Sequence, residues 1–100
     1  GFAVRGARCL VVGAGGVGSA IAASLAAAGV GVISLFDTNR ASAEALAGRL
    51  AKHYPSLDVR LASSDPAGYD VVVNATQPAA SVRTRNMNET PLAGRNWRRV

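Results

Sequence analysis

Residues 8–18 have the sequence RCLVVGAGGVG, in which a short apolar run is followed at once by closely spaced glycines. Arg8–Val12 does not alternate between apolar and polar residues, which is typical of a strand buried on both faces of a parallel sheet. From residue 16 to residue 28 the chain is rich in alanine, and Gly29 stands at the position of a C-terminal helix cap. These residues predict a buried strand, a tight glycine turn and a first helix.

Working outward, the same alternation of strand and helix patterns continues along the chain. It predicts strands over 31–36, 58–62 and 70–74 and a second helix over 41–53. With right-handed crossovers, this order predicts an α/β fold: half of a Rossmann-type doubly wound parallel sheet, in three α/β/α layers with strand order 3-2-1-4. Residues 63–69 are few for a parallel crossover, so we expect an extended loop or one helical turn there. From Pro78 onward no sustained periodicity predicts a further element.

The length of 100 residues, with 49% hydrophobic and 17% charged residues, predicts one small domain with its own core. The formal net charge of +5 is unevenly distributed, because residues 1–80 carry +1 and residues 81–100 carry +4. We therefore expect a nucleotide-binding domain over 1–80 and a basic tail over 81–100. The tail has neither the interleaved aromatic residues nor the zinc-ligand spacing of nucleic-acid readers, so no specific nucleic-acid partner is expected.

Several absences also limit the function. A single cysteine, Cys9, and no signal-peptide or membrane-spanning pattern predict a cytoplasmic protein without a membrane partner. The chain has no initiator Met, which suggests a piece of a longer protein. No Cys/His cluster, carboxylate pair or nucleophile elbow is present, so we expect no metal and no catalytic residue in this chain. His53 is interpreted as a surface residue at the end of the second helix.

Gly13, Gly15 and Gly18 form the pattern G-x-G-x-x-G between the predicted strand and helix, which is the context that this motif requires. The first glycine permits the turn, the second lets a pyrophosphate approach the backbone, and the third lets the helix lie close to the sheet. The amides of the turn, including those of the intervening residues Ala14, Gly16 and Val17, favour an anion at the helix N-terminus. We expect a dinucleotide here; the alternative is a tight turn that binds nothing.

Asp37 follows Gly18 by nineteen residues, at the end of the second predicted strand. A carboxylate there accepts hydrogen bonds from an adenosine ribose diol and repels the 2′-phosphate of NADP, so NAD is favoured and NADP remains possible. The alternative is a capping or turn residue, a role also open to Thr38 and Asn39. Arg40 has three interpretations: it pairs with a 2′-phosphate, lies along the ribose and adenine, or is a solvated residue of the second helix.

Asn74, Ala75 and Thr76 follow the last predicted strand. Ligands of open α/β sheets bind at the carboxyl ends of strands, near the point where strand order reverses. These residues either contact a ligand or satisfy their own turn, and the sequence pattern does not distinguish the two.

Several of these segments together resemble the cofactor domain of the shikimate/quinate dehydrogenase family. They are the glycine turn, the alanine-rich helix, AEALA at 43–47 and YDVVVNAT at 69–76, and the resemblance covers roughly residues 1–79. It implies NAD(P)-dependent hydride transfer between 3-dehydroshikimate or 3-dehydroquinate and shikimate or quinate, with Thr76, Asn74 and Ala75 beside the nicotinamide ribose. The NADP enzymes of that family carry Asn-Arg-Thr where this chain has Asp37-Thr38-Asn39, which again favours NAD.

The chain departs from that family in two respects. Residues 77–80 are QPAA in place of the usual Pro-x-Gly-Met, and residues 81–100 do not match the later strands. The catalytic Lys and Asp of the family belong to an N-terminal substrate domain that this chain lacks, and Lys52 lies in the wrong context. We therefore expect the chain alone to be inactive, and a small hydroxy-acid substrate to bind only with that domain.

Two other function classes remain open. Adenylating enzymes of the ubiquitin-activating type, which use ATP, resemble this chain from the first strand through Asp37 but continue with a second acid. A nucleotide-binding or interaction module without chemistry of its own is the third possibility. The sequence does not show an oligomeric state.

Overall fold

The computed structural model describes residues 5–76, 80–85 and 97–99. Along the chain these residues form β1 (Arg8–Val12), α1 (Gly16–Ala27), β2 (Val32–Phe36), α2 (Arg40–His53), β3 (Asp58–Leu61), β4 (Val71–Asn74), β5 (Ser81–Arg85) and β6 (Trp97–Arg99). The first six elements are the predicted ones, and every predicted boundary lies within one residue of the observed one.

The strands of the described residues form a single sheet in the order β3-β2-β1-β4-β5-β6. The central strand β1 pairs in parallel with both β2 and β4, and β2 pairs in parallel with β3. This confirms the Rossmann-like α/β fold with strand order 3-2-1-4. Because Val12 is in register with both Phe36 and Asn74, β1, β2 and β4 end side by side at one edge of the sheet.

The hydrophobic core lies between one face of this sheet and both helices. Its largest members from the strands are Val11, Ile33 and Leu35, and α2 adds Leu46 and Leu50. Burial of apolar surface at such positions contributes roughly 1.5–3 kcal/mol for each large side chain. Packing of α2 against the strands therefore fixes the position of the sheet edge, and the candidate site lies at this edge.

The opposite face of the sheet also buries side chains, because Leu10 is fully buried and Ser34 is 2% exposed. There Ser64 and Pro66, from the connection between β3 and β4, line a cavity together with Val72. Both helices of the described residues pack on the other face, so the predicted third layer is here a loop and not a helix. The loop itself was expected, because few residues are available for that crossover.

The apolar residues of α1 at helical spacing are Val17, Ile21, Ala22 and Leu25. Ala22 is buried and Ile21 and Leu25 pack against the core, as this spacing predicts, but Val17 is 47% exposed. The close approach of α1 to the glycine turn at Gly18 explains the difference. Since only residues without a large side chain fit at that approach, the helix turns Val17 toward solvent.

Strands β5 and β6 were not predicted. β5 pairs antiparallel with β4, and β6 pairs antiparallel with β5. Their sequences are rich in arginine and lack a long apolar alternation, so no hydrophobic period predicts either strand, although only residues 75–80 separate β5 from β4. The sheet thus continues past residue 80, and the division of the chain into domain and tail at that residue stays a prediction.

Candidate functional site

Gly13 is held in place by both its backbone conformation and its neighbours. It has a φ of +105°, which favours glycine. A Cβ at this position would lie 2.9 Å from the carbonyl carbon of Ala75 and 3.0 Å from its oxygen. The tight turn out of β1, predicted from the sequence, therefore also brings the glycine segment against the end of β4.

Gly18 makes the closest backbone contact of the turn. A Cβ at this residue would collide with the carbonyl oxygen of Gly13 and would also contact the Cβ of Ala75 at 3.5 Å. Any side chain here would push α1 away from the sheet. The prediction that this glycine lets the helix lie close to the strands therefore agrees with its surroundings.

Gly15 and Gly16 differ from these two glycines. Both are exposed, and an added Cβ at either would meet no heavy atom within 4 Å. Gly15 is the N-cap of α1, with a φ of −77° that any residue can adopt, and it provides no side-chain cap. The first amides of a helix have no partner within the helix, so the N–H groups of the first turn of α1 are available to an external acceptor.

The carboxylate of Asp37 connects the glycine turn to the beginning of α2. Its Oδ2 accepts a hydrogen bond of 2.7 Å from the backbone N–H of Ala14, and its Oδ1 accepts one of 2.8 Å from the backbone N–H of Asn39. These two bonds, that from Ala14 more strongly, hold the pKa of the Asp37 carboxyl below its usual value. The group is therefore ionised at neutral pH, at the end of β2 where it was expected.

The sequence left open the roles of the three residues after Asp37, and in the structure each has different contacts. Asn39 caps α2, because its Oδ1 accepts a hydrogen bond of 3.4 Å from the N–H of Ser42. Arg40 forms an exposed salt bridge of 3.0 Å with Glu44, one helical turn later. Thr38 is exposed and forms part of a cavity of about 360 Å³ with Asp37 and Arg40. The remaining lining residues of this cavity are Leu35, Phe36, Ala43, Leu61 and Ala62.

At the end of β4, the backbone N–H of Ala75 donates a 2.8 Å hydrogen bond to the carbonyl of Val12 and extends the pairing of the two strands. Oδ1 of Asn74 accepts hydrogen bonds from the N–H of Thr76, at 3.1 Å, and from its hydroxyl, at 2.6 Å. Asn74 and Thr76 therefore satisfy a local turn, one of the two interpretations of this segment. Residues 77–79, part of the segment in which the chain departs from the family that it resembles, lie outside the described residues.

The fold thus brings the predicted site residues to one edge of the sheet, where Gly13, Gly18 and Ala75 touch and Asp37 bonds to Ala14. Arg40 lines the cavity beside Asp37 as well, but its guanidinium bonds to Glu44. The sequence did not predict the hydrogen bond from the N–H of Ala14 to the carboxylate of Asp37. The two residues are 23 apart, and no local pattern indicates such a contact. Within the described ranges no group of three or more His, Cys, Asp or Glu side chains could hold a metal, and no helix is long and apolar enough to cross a membrane.

The strand order, the glycine turn and the acid at the end of β2 define the chain as a Rossmann-like NAD(P)-binding domain. Residues 3–50 match the ThiF family. The chain is 42% identical over 89 residues to glutamyl-tRNA reductase of Salinispora tropica, covering 87% of this chain and 19% of that protein.

A solved structure is also similar. It is the ligand-free form of 5-ketofructose reductase of Gluconobacter sp. strain CHM43, with a TM-score of 0.65 and 32% sequence identity, covering 75% of this chain and 28% of that chain. The present chain therefore spans less than a third of the length of either relative.

Proposed function

We propose that this chain is the cofactor domain of an NAD(P)-dependent oxidoreductase, and that NAD is the preferred cofactor. Two relatives that share its sequence or its fold are named as reductases, which supports this class. A bound nicotinamide cofactor would supply the hydride donor or acceptor. The role of this chain's own residues is to bind and orient the cofactor.

The single observation that carries the proposal is the open space at Gly15. Gly13 and Gly18 are glycines because backbone atoms of the protein itself would collide with a Cβ, but nothing in the fold excludes a side chain at Gly15. Its φ is ordinary, and it is exposed. A glycine without a structural reason, beside unpaired helix amides, fits a group that must approach the backbone closely, such as a pyrophosphate.

Asp37 would hold the adenosine ribose. A carboxylate offers about four acceptor positions, and the amides of Ala14 and Asn39 occupy two of them. The remaining lone pairs can accept hydrogen bonds from the two ribose hydroxyls. The cavity beside Thr38 lies next to this carboxylate and offers apolar contacts to a base, with Phe36 and Leu61 among its walls.

The preference for NAD over NADP follows from charge. The ionised Asp37 repels a 2′-phosphate, and Arg40, the nearest candidate partner in sequence, is paired with Glu44. An exposed pair of this kind stabilises by only about 0–1 kcal/mol, so the salt bridge by itself does not prevent Arg40 from moving. The uncompensated carboxylate is therefore the stronger argument.

For the substrate, we propose shikimate or quinate, as the resemblance of residues 69–76 implies, with Asn74, Ala75 and Thr76 beside the nicotinamide ribose. A separate domain bearing a catalytic Lys and Asp would hold that substrate and complete the enzyme. The coding sequence on either side of this chain tests the proposal: a domain with that Lys and Asp supports it, whereas a different adjoining domain would contradict the substrate.

Calorimetric titration of the chain with NAD, NADP and ATP tests the cofactor. We expect NAD to bind more tightly than NADP, and Gly15→Ala to weaken NAD binding by about tenfold or more, because a methyl group occupies the approach to the amides. Asp65→Ala, an exposed residue of the loop between β3 and β4, is the control and should bind like the wild type. Tighter binding of NADP would overturn the role of Asp37.

An adenylating ATP-binding domain is the second candidate. The match to the ThiF family covers residues 3–50, which include the segment through which the chain resembles adenylating enzymes. Against it, Thr38, Asn39 and Arg40 follow the acid where those enzymes have a second acid. Binding of ATP with magnesium, without binding of NAD, would favour this candidate, and binding of none of the three nucleotides would favour a module without cofactor.

A further inference from the structure

A second cavity lies on the face of the sheet opposite the two helices. It has a volume of about 250 Å³, lies between the carboxyl end of β4, strand β5 and the loop that connects β3 to β4, and is separate from the cavity beside Asp37. Its lining residues are Val12, Ser64, Pro66, Val72, Asn74, Ser81 and Arg83. The cofactor site proposed above does not use Ser64, Ser81 or Arg83.

The polar groups of this cavity are suited to donating hydrogen bonds. Arg83 is exposed, and no ion pair joins it to another residue of the described ranges. Ser64 and Ser81 contribute hydroxyls. Asn74 already uses its Oδ1 to accept two hydrogen bonds from Thr76, so its amide nitrogen is the group left to offer a ligand. Val12, Val72 and Pro66 form an apolar floor.

The register of β5 and β6 adds a second, independent observation. Arg83 stands directly across from Arg99 in the antiparallel pair. The strand that lines the cavity therefore belongs to the basic segment 81–100, which carries a formal charge of +4.

We propose that this cavity binds a small oxyanion, a carboxylate or phosphate group, with Arg83 as its principal ligand and Ser64 and Ser81 as further donors. The guanidinium is a planar fork that matches the oxygens of either group, and its bonds to them are charge-assisted. The cavity shares Asn74 with the proposed nicotinamide side of the cofactor site, but neither the glycine turn nor Asp37 belongs to it, so an oxyanion can bind at Arg83 without the cofactor.

Titration of the chain with inorganic phosphate and, separately, with acetate at constant ionic strength tests the proposal, followed by the backbone amide NMR signals of Ser81 and Arg83. We expect saturable shifts with at least one of the two anions, and the tighter binder identifies the source as phosphate or carboxylate. Arg83→Ala should weaken binding by about tenfold to a hundredfold, and Arg83→Lys by less, because the charge remains while the fork is lost.

Arg49→Ala, which removes an exposed arginine from α2, is the matched control and should leave the affinity unchanged. If Arg83→Ala does not fold by circular dichroism, Arg83→Gln takes its place. Equal loss of binding in the Arg49 and Arg83 variants would overturn the proposal, because it would show an effect of overall charge only. So would an absence of saturable shifts in the wild type with both phosphate and acetate. Calorimetry with NAD in the same variants separates this result from a failure of the cofactor proposal.

Discussion

The carboxylate of Asp37 accepts a 2.7 Å hydrogen bond from the backbone N–H of Ala14, across 23 residues of sequence. The end of β2 is thereby joined to the glycine turn that follows β1. The same side chain also accepts the N–H of Asn39, which caps α2. One residue thus joins the glycine turn to the start of the second helix.

The first prediction concerns the contribution of this residue to stability. Asp37→Ala removes two hydrogen bonds to a charged acceptor and should lower the free energy of unfolding by about 1.5–3 kcal/mol. Asp65→Ala is the matched control, because Asp65 is exposed and accepts only the neighbouring N–H of Ala67 among the bonds seen here, at 3.0 Å. Urea denaturation measures both variants. If both variants lost the same free energy of unfolding, the hydrogen bond between Asp37 and Ala14 would stabilise the fold no more than a local bond in an exposed loop.

A second prediction follows from the lowered pKa of Asp37. Since the carboxyl is more acidic in the folded chain than its ordinary value of 3.8, its stabilising effect is complete well above that value. The effect is lost as the pH falls through the lower pKa of the folded state. The difference in unfolding free energy between the wild type and Asp37→Asn should thus be constant near neutral pH and shrink below about pH 4. A difference that grows on acidification would contradict this assignment.

The glycines provide a third prediction, which separates folding from binding. Gly18→Ala places a Cβ against the carbonyl oxygen of Gly13 and should destabilise the fold by about 3 kcal/mol or prevent folding. Gly15→Ala meets no atom and should cost less than about 1 kcal/mol, the usual range for an N-cap change. Thermal unfolding of the two variants measures the contrast. If Gly15→Ala proved as destabilising as Gly18→Ala, the assignment of Gly15 to ligand approach would be lost.

A fourth prediction concerns Cys9, which is fully buried in β1. Burial chiefly, with the charge of Asp70 as a second cause, raises the pKa of its thiol to about 12. The native chain should therefore react with iodoacetamide at pH 8 far more slowly than the chain unfolded in urea. Labelling followed by mass spectrometry gives both rates. Comparable rates would show that β1 opens readily or is not central.

The six elements from β1 to β4 could be predicted because their signals are local. Apolar runs without alternation, alanine-rich helical spacing and glycine or proline at the ends specify each element from its own residues. The position of Gly29 is an example: its φ is +90°, and its N–H donates to the carbonyl of Ala26 at the end of α1, as expected of a C-terminal cap.

Prediction was weaker where the role of a residue depends on how the backbone packs rather than on the residue type. Val17 belongs to an apolar series, but the backbone contact between Gly18 and Gly13 determines which side of α1 is buried. From the sequence, Asn74 could equally contact a ligand or stabilise its own turn. Only the hydrogen bond from the Thr76 hydroxyl to Asn74 shows that it stabilises the turn. β5 pairs with β4 across only residues 75–80, but its arginine-rich sequence has no apolar period that would predict a strand.

By itself, the sequence determined the class of fold and the location of the cofactor motif, because hydrophobic period and glycine position act over a few residues. Only the tertiary structure decided that Asp37 bonds to Ala14 and that Gly15 alone of the three motif glycines has no packing reason. It also decided that Arg83 stands across from Arg99 beside a cavity. Each of these depends on which segments the sheet brings together, and strand pairing depends on burial and register over the whole chain rather than on any local pattern.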